Sequence, residues 1–424
     1  MHIKERNNRW VTMLDEVIHI YFTNLQPHNT YKIELDRRSV TAKDVLYRQS
    51  YAYFQADKNG EIHLSEMAPI EGTYKLVDPM GLFWSMALIK KEINASEPYD
   101  RLAPHVFTLS IYHNNVELER KELQKRWYAD EEVAVIPIHD SVIGNYYYHL
   151  DGKPRPGLIV VSGSEGGTND FTASHLTQYG YNVLAVAYFG VEGLNSRLAN
   201  IPLEIIRDSI SWLQKREDVK NGWMGMHGVS RGAELALWSG VLFDEIKAIV
   251  SLNGSGVSFA GITPWTEEPN LLPAWMYKGE ALPYATAKNP VETALLCKEK
   301  FLEGKNALSF WYETLYEQHP DKDGVKIPIV NTNKDYLFIA GKEDAIFDSC
   351  TYSDFFSGEH IKKHFYEKAG HGIAIPHLPA FTGEYFGGEK PYTYHASLHS
   401  WSETIAFLEE SRRKYKGLCH VQNN

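Results

Sequence analysis

A pentapeptide, Gly228-Val229-Ser230-Arg231-Gly232, narrows the possible folds more than any other feature of the chain, because it stands between the apolar run WMGMH (223–227) and the helix-prone run AELALWSG (233–240). A strand that becomes a helix within so few residues must bend sharply, and glycines on both sides of the serine remove the side chains that would collide there. The hydroxyl then projects at a helix N-terminus, where backbone amides favour negative charge. Gly-x-Ser-x-Gly in this setting is a nucleophile elbow, and it commits the surrounding chain to a parallel sheet covered by helices.

From about residue 131 onward the sequence repeats apolar strand, turn and amphipathic helix. Strands are predicted at GLIVVSG (157–163), YNVLAVAY (181–188), GWMGMHG (222–228), IKAIVSLNG (246–254) and YLFIAG (336–341), with a short one at HFYEKA (364–369). They read as unbroken apolar runs because both faces of such a sheet are covered. Leu203, Ile206, Ile210 and Leu213 share a helix face behind Pro202, and Leu398, Trp401, Ile405 and Leu408 form a stripe on a closing helix over about 396–415. Between the strands at 246 and 336 lies an aromatic-rich stretch with Pro264, Pro269, Pro273, Pro283 and Pro290, too long for a simple crossover. The expectation is a cap-like insertion at about 255–330, over the sheet edge where open α/β folds place their ligand crevice.

Before residue 131 the pattern differs. YKIEL (31–35), YAYFQA (51–56), EIHLSEM (61–67) and HVFTLSIYH (105–113) alternate with period two, and turn signals fall between them at KNG (58–60), EGT (71–73) and DPMG (78–81). The expected architecture is α/β: an N-terminal immunoglobulin-like β-sandwich over 1–130, then an α/β-hydrolase domain over 131–424.

Composition removes several classes of partner. The net charge of −11 argues against nucleic acid and anionic membranes, and no window approaches an uninterrupted apolar span. The N-terminal MHIKERNNRWVTMLDEVIHI breaks every apolar run with charges, so no secretory signal is expected. Cys297, Cys350 and Cys419 are widely spaced, without metal-ligand spacing, and are read as incidental thiols in a reducing cytoplasm.

A serine at its free pKa needs a base held by a carboxylate, and in this fold the chain order is serine, acid, histidine. Asp344, just past YLFIAG, is the predicted acid, with Glu343 and Asp348 as alternatives; His371, between Gly370 and Gly372, is the predicted base, with His377 as rival and His360 and His364 behind it. The oxyanion donors expected are the Arg231 amide and an amide from SGSEGG (162–167), at Ser164 or Glu165. That glycine loop lacks both GxGxxG and a GK[ST] ending, so no nucleotide cofactor is expected there. Neither a metal nor a redox group is needed.

With these residues in hand, the chain resembles the family of acyl-CoA thioesterases and bile acid-CoA:amino acid N-acyltransferases. The resemblance rests on SYAYFQADKNGEIHLSEMAPIEGTYKLVDPMGLFWSM (50–86) and RPGLIVVSGSEGGTNDFTASHLTQYGYNVLAVAYFG (155–190), followed by the elbow and SLNGSG in family order. It implies a triad at Ser230, Asp344 and His371. It also implies hydrolysis of an acyl-CoA partner, because the family's thioesterases carry serine where its transferases carry cysteine. Two departures lie near the expected site: Phe347 precedes Asp348 and Ser349 where the family usually carries Trp before its serine, and GHGIAIPHLP (370–379) lacks the usual acidic residue and proline pair. Both imply an altered acyl preference.

Overall fold

The structure, a computed structural model, describes residues 2–262 and 271–421, the side chains of 416–421 excepted. Pro264, Pro269 and the Cys419 side chain therefore lie outside the described residues. The chain divides into two compact units, Met1–Ala129 with Ile375–Ala380, and Asp130–Ala374 with Phe381–Asn424.

The first unit is built from a three-stranded sheet and a seven-stranded sheet. In the larger sheet the long antiparallel pair Thr30–Val40 and Asp44–Gln55 lies beside His105–His113 and Val116–Arg126. Alternation sends Ile33, Leu35, Ala52, Phe54, Leu109 and Ile111 to buried positions. EIHLSEM pairs only at Ile62–His63, because the Glu66 and Met67 N–H groups turn back to the His63 carbonyl and close the strand.

Eight strands form the sheet of the second unit: β1 (Val133–His139), β2 (Ile143–His149), β3 (Arg155–Val161), β4 (Asn182–Val186), β5 (Val219–Val229), β6 (Ile246–Leu252), β7 (Asp335–Gly341) and β8 (Ile361–Tyr366). Their order is β1-β2-β4-β3-β5-β6-β7-β8, with β2 antiparallel to both neighbours and every pair from β4 to β8 parallel. The sequence reading places no strand at β1 or β2. They form an antiparallel hairpin in which the apolar VAVI (133–136) of β1 is cut short by Pro137 at an exposed position, and β2 mixes Gly144 and Asn145 with tyrosines. β8 begins three residues before its expected place, as a half-buried edge strand.

Helices α1 (Asp170–Thr177), α2 (Glu204–Gln214), α3 (Arg231–Leu242), α4 (Pro290–Leu302), α5 (Leu308–Gln318), α6 (Ser349–Asp354) and α7 (Lys390–Val421) complete the unit. Leu203, Ile206, Ile210 and Leu213 are all 0% exposed along α2, each contributing about 1.5–3 kcal/mol of burial. On α7 the buried stripe is rotated from the expected one: Trp401 and Leu408 are buried but Leu398 is exposed, and Thr393, Ser397, Ser400 and Thr404 lie inside. Small hydroxyl residues allow close packing while bonding back to their own helix, as Ser397 does to the Thr393 carbonyl.

The stretch between β6 and β7 contains α4, α5 and a short strand, Trp275–Tyr277, that pairs with Ile201–Pro202. Its Val257, Phe259, Tyr312 and Leu315 pack into one core with Phe347 and Tyr352 from the segment after β7. Among the described residues no helix is long and apolar enough to cross a membrane.

Candidate active site

Ser230 follows β5 directly and caps α3 with φ 53° and ψ −124°, a backbone conformation costing a non-glycine residue about 1–3 kcal/mol. The glycines around it are required by close approach. A Cβ on Gly228 would lie 2.2 Å from the Gly232 carbonyl oxygen, and one on Gly232 would lie 1.9 Å from the Ser162 carbonyl oxygen. The Ser230 N–H donates to the Leu252 carbonyl at the end of β6 (2.8 Å), tying the bend to the neighbouring strand.

Three side chains from three strand ends meet at this point. The Ser230 hydroxyl lies 2.9 Å from His371 Nε2, and His371 Nδ1 lies 2.7 Å from Asp344 Oδ2. Both partners of the second contact are sequestered, the His371 and Asp344 side chains being 6% and 1% exposed. Asp344 is held from the other side as well: Oδ1 accepts the Ile346 N–H (2.9 Å) and Oδ2 accepts the Ser349 hydroxyl (2.8 Å). The Phe347 ring stands edge-on to the imidazole, with centroids 5.3 Å apart.

The alternatives named from sequence stand outside this series. Asp348 caps α6 through the Thr351 N–H, Glu343 is exposed, and His364 pairs with Glu403 across 3.1 Å. His377 is buried and belongs to the segment grouped with the first unit. Burial pushes the Cys297 and Cys350 thiols up to about 12, which leaves them protonated and unreactive at neutral pH.

Residues 162–167 pass beside the nucleophile, and Gly163 makes the close approach: a Cβ there would lie 3.1 Å from Ser230 Cβ. Ser164 and Glu165 are exposed, and the Glu165 carboxylate accepts the Gly163 N–H (3.1 Å). The Tyr188 hydroxyl braces this loop at the Ser162 and Gly163 carbonyls, 2.9 Å from each.

Two supports are missed by the sequence reading. Asn253, fully buried, donates from Nδ2 to the His371 and Ile373 carbonyls (2.9 and 3.0 Å), fixing the histidine loop to the end of β6. Its signal was the SLNGSG segment, in which an Asn precedes a Gly after an apolar strand. Arg231, singled out only for its amide, turns its side chain into the interior. Its guanidinium donates to the Phe259 and Ala260 carbonyls and lies 3.2 Å from Glu234, whose other oxygen accepts the Phe259 N–H and the Trp275 indole N–H. Burial, opposed by the Arg231 charge, pushes the Glu234 carboxyl up. The head of α3 is thus bonded to the insertion.

A sheet in this strand order, with a serine on the sharp turn after its fifth strand, makes the second unit an α/β-hydrolase. Two family descriptions match the chain: the acyl-CoA thioester hydrolase/BAAT N-terminal region over residues 15–140, and the BAAT/acyl-CoA thioester hydrolase C-terminal region over 201–413. The protein belongs to this family of acyl-CoA thioester hydrolases and bile acid-CoA:amino acid N-acyltransferases. It is 28% identical to mouse bile acid-CoA:amino acid N-acyltransferase, across 94% of this chain and 95% of the relative. Mouse acyl-coenzyme A thioesterase 1 is 26% identical, with 93% of each chain covered. Among solved structures, an esterase from Pyrococcus furiosus is 14% identical with a TM-score of 0.39, covering 66% of this chain and 90% of that one.

Proposed function

We propose that this protein is a serine-dependent acyl-CoA thioesterase. The observation that carries the reading is the continuous hydrogen-bonded series from Ser230 through His371 to Asp344, sequestered at the strand ends. Ser230 Oγ attacks the thioester carbonyl as His371 Nε2 takes its proton, and Asp344 holds Nδ1–H and stabilises the imidazolium. The tetrahedral oxygen is held by the Arg231 amide at the head of α3 and by an amide of the 162–167 loop, at Ser164 or Glu165. Collapse expels the CoA thiolate, which takes the proton from His371. Water then attacks the seryl ester as it gives a proton to His371 Nε2, and His371 returns that proton to Ser230 Oγ as the acid leaves, restoring the free enzyme. In this reading the two sheets of the first unit form an immunoglobulin-like sandwich ahead of a catalytic domain over 131–424, and the protein works in the cytoplasm.

A second reading, transfer of the acyl group to an amino acid, is favoured by the likeness to the mouse N-acyltransferase. Serine at the nucleophile position supports hydrolysis instead, since an oxygen ester partitions to water more readily than a thioester does. The test is free-thiol release from acyl-CoAs of short to long chain by wild type and Ser230→Ala, with aryl esters and added glycine or taurine in parallel. Release that disappears in Ser230→Ala and ignores the amino acids supports the thioesterase. Turnover of aryl esters alone refutes the CoA assignment, and acceleration with N-acyl product establishes the transferase.

A further inference from the structure

The first unit contains two arginines and a histidine grouped without a counter-ion. Arg37 on the strand Thr30–Val40 stands directly opposite Arg48 on Asp44–Gln55, and His105 opens the strand His105–His113 one place further across the sheet. Arg37 shares the strand face of the buried Ile33 and Leu35, whereas the neighbouring carboxylates Glu34 and Asp36 alternate to the other face. The Arg37 guanidinium lies over the Phe107 ring at 5.6 Å, and the His105 ring is edge-on to Trp127 at 4.9 Å. Arg37, Arg48 and His105 are each half-buried.

What distinguishes the group is what it lacks. Among the described residues no carboxylate pairs with any of the three, and the one hydrogen bond from either arginine runs from Arg48 Nη1 to the Ser39 hydroxyl (3.3 Å). Arg37 Nε and His105 Nδ1 are shielded from water and have no partner at all. Like charges directly opposite on a sheet are destabilising, and unpaired buried donors add to the cost. Burial and then the Arg48 charge push Arg37 down to about 9, and burial followed by both arginines holds His105 well below its ordinary value.

A ligand that offset two cations and filled several orphaned donors would need two negative charges and three or more acceptor oxygens. Two guanidinium forks and an imidazole match a phosphate group in this respect, and the aromatic walls of Phe107 and Trp127 strengthen each contact by excluding water. We infer that Arg37, Arg48 and His105 form a binding site for a phosphate group, either free phosphate or the phosphate of a small molecule such as CoA. With a chain of net charge −11, attraction for such an anion must be local, and this group supplies it. The inference stands independently of the proposed thioesterase activity.

The test is isothermal titration and thermal unfolding of the full chain with inorganic phosphate and, separately, with CoA, against chloride at equal ionic strength. Wild type should bind at least one of the two saturably and melt at a higher temperature with it than with chloride. Arg37→Gln and Arg48→Gln should each bind about tenfold more weakly or worse, the loss of one charge-assisted contact. Without ligand neither variant should melt below wild type, since each relieves the repulsion. Binding of CoA alone assigns the site to a phosphorylated small molecule, and binding of both assigns it to phosphate itself. No saturable binding of either, or binding unchanged in both variants, overturns the inference, as does a ligand-free melting temperature that falls in both variants while phosphate protects them as it does wild type.

Discussion

Asn253 provides the sharpest test of how the candidate site is held. It is buried at φ 48° and gives both amide protons to backbone carbonyls, those of His371 and Ile373. Asn253→Asp keeps the shape and the tolerance for left-handed backbone but replaces the donor by an acceptor, so two buried carbonyls lose their partner and face a carboxylate. At about 1–3 kcal/mol for each orphaned group, the expected loss is roughly 4 kcal/mol, or about 10 °C in melting temperature for a domain of this size. Because His371 rides on the released loop, its 2.9 Å contact with Ser230 should loosen, lowering kcat about 10- to 100-fold with little change in KM. Thermal unfolding and the rate of Ser230 labelling by a fluorophosphonate measure the two effects separately. An Asn253→Asp protein that melts within about 2 °C of wild type and labels at the same rate would refute the reasoning.

Gly232→Ala should fail to accumulate as folded protein or lose at least about 3 kcal/mol, because the new methyl meets a backbone oxygen at 1.9 Å; soluble expression and urea unfolding report it. Burial holds His227 at about 4, below the ordinary 6.5, so the unfolded chain protonates first and stability, complete above pH 6.5, falls as the pH drops toward 4. The loss should be about 3 kcal/mol and should shrink in His227→Leu, as read by denaturant midpoints across that range. Lys334→Met should cost about 2 kcal/mol, since Lys334 Nζ donates to the Gly240 and Phe243 carbonyls at the end of α3 (2.5 and 2.6 Å); the urea midpoint reports it. Ser349→Ala removes one donor from Asp344 and should slow thioester hydrolysis a few-fold while leaving the fold intact by circular dichroism.

The central strands of the second unit were readable because a strand covered on both faces has no polar alternation to obscure it, as LIVV at 158–161 illustrates. β1 and β2 escaped for another reason: VAVI at 133–136 is as apolar as LIVV but runs straight into Pro137, and β2 mixes Gly144 and Asn145 with tyrosines. The residues that meet, Ser230, His371 and Asp344, follow from chain order and from where each strand ends, both of which a sequence displays. What it could not display is the scaffolding behind them. Arg231 looks like a surface charge on a helix, and only the folded chain reveals that its guanidinium is buried beside Glu234 and bonded to two carbonyls of the insertion. On α7, Leu398 was a reasonable core residue by periodicity, but close packing through Ser and Thr rotated the helix and left it outside.

The six residues Ile375–Ala380 count with the first unit although they follow His371 by only a few positions and are flanked on both sides by the second. The two units are therefore not beads on a string. The backbone passes between them three times, and a cut at residues 129/130 would separate the N-terminal piece from part of itself. A recombinant fragment beginning at Asp130 would carry those six residues as an orphan, next in sequence to its own histidine loop. Exchange of N-terminal units between relatives, whether by evolution or at the bench, would thus have to replace two stretches of gene at once, and the shorter one begins only a few residues after His371 in the sequence.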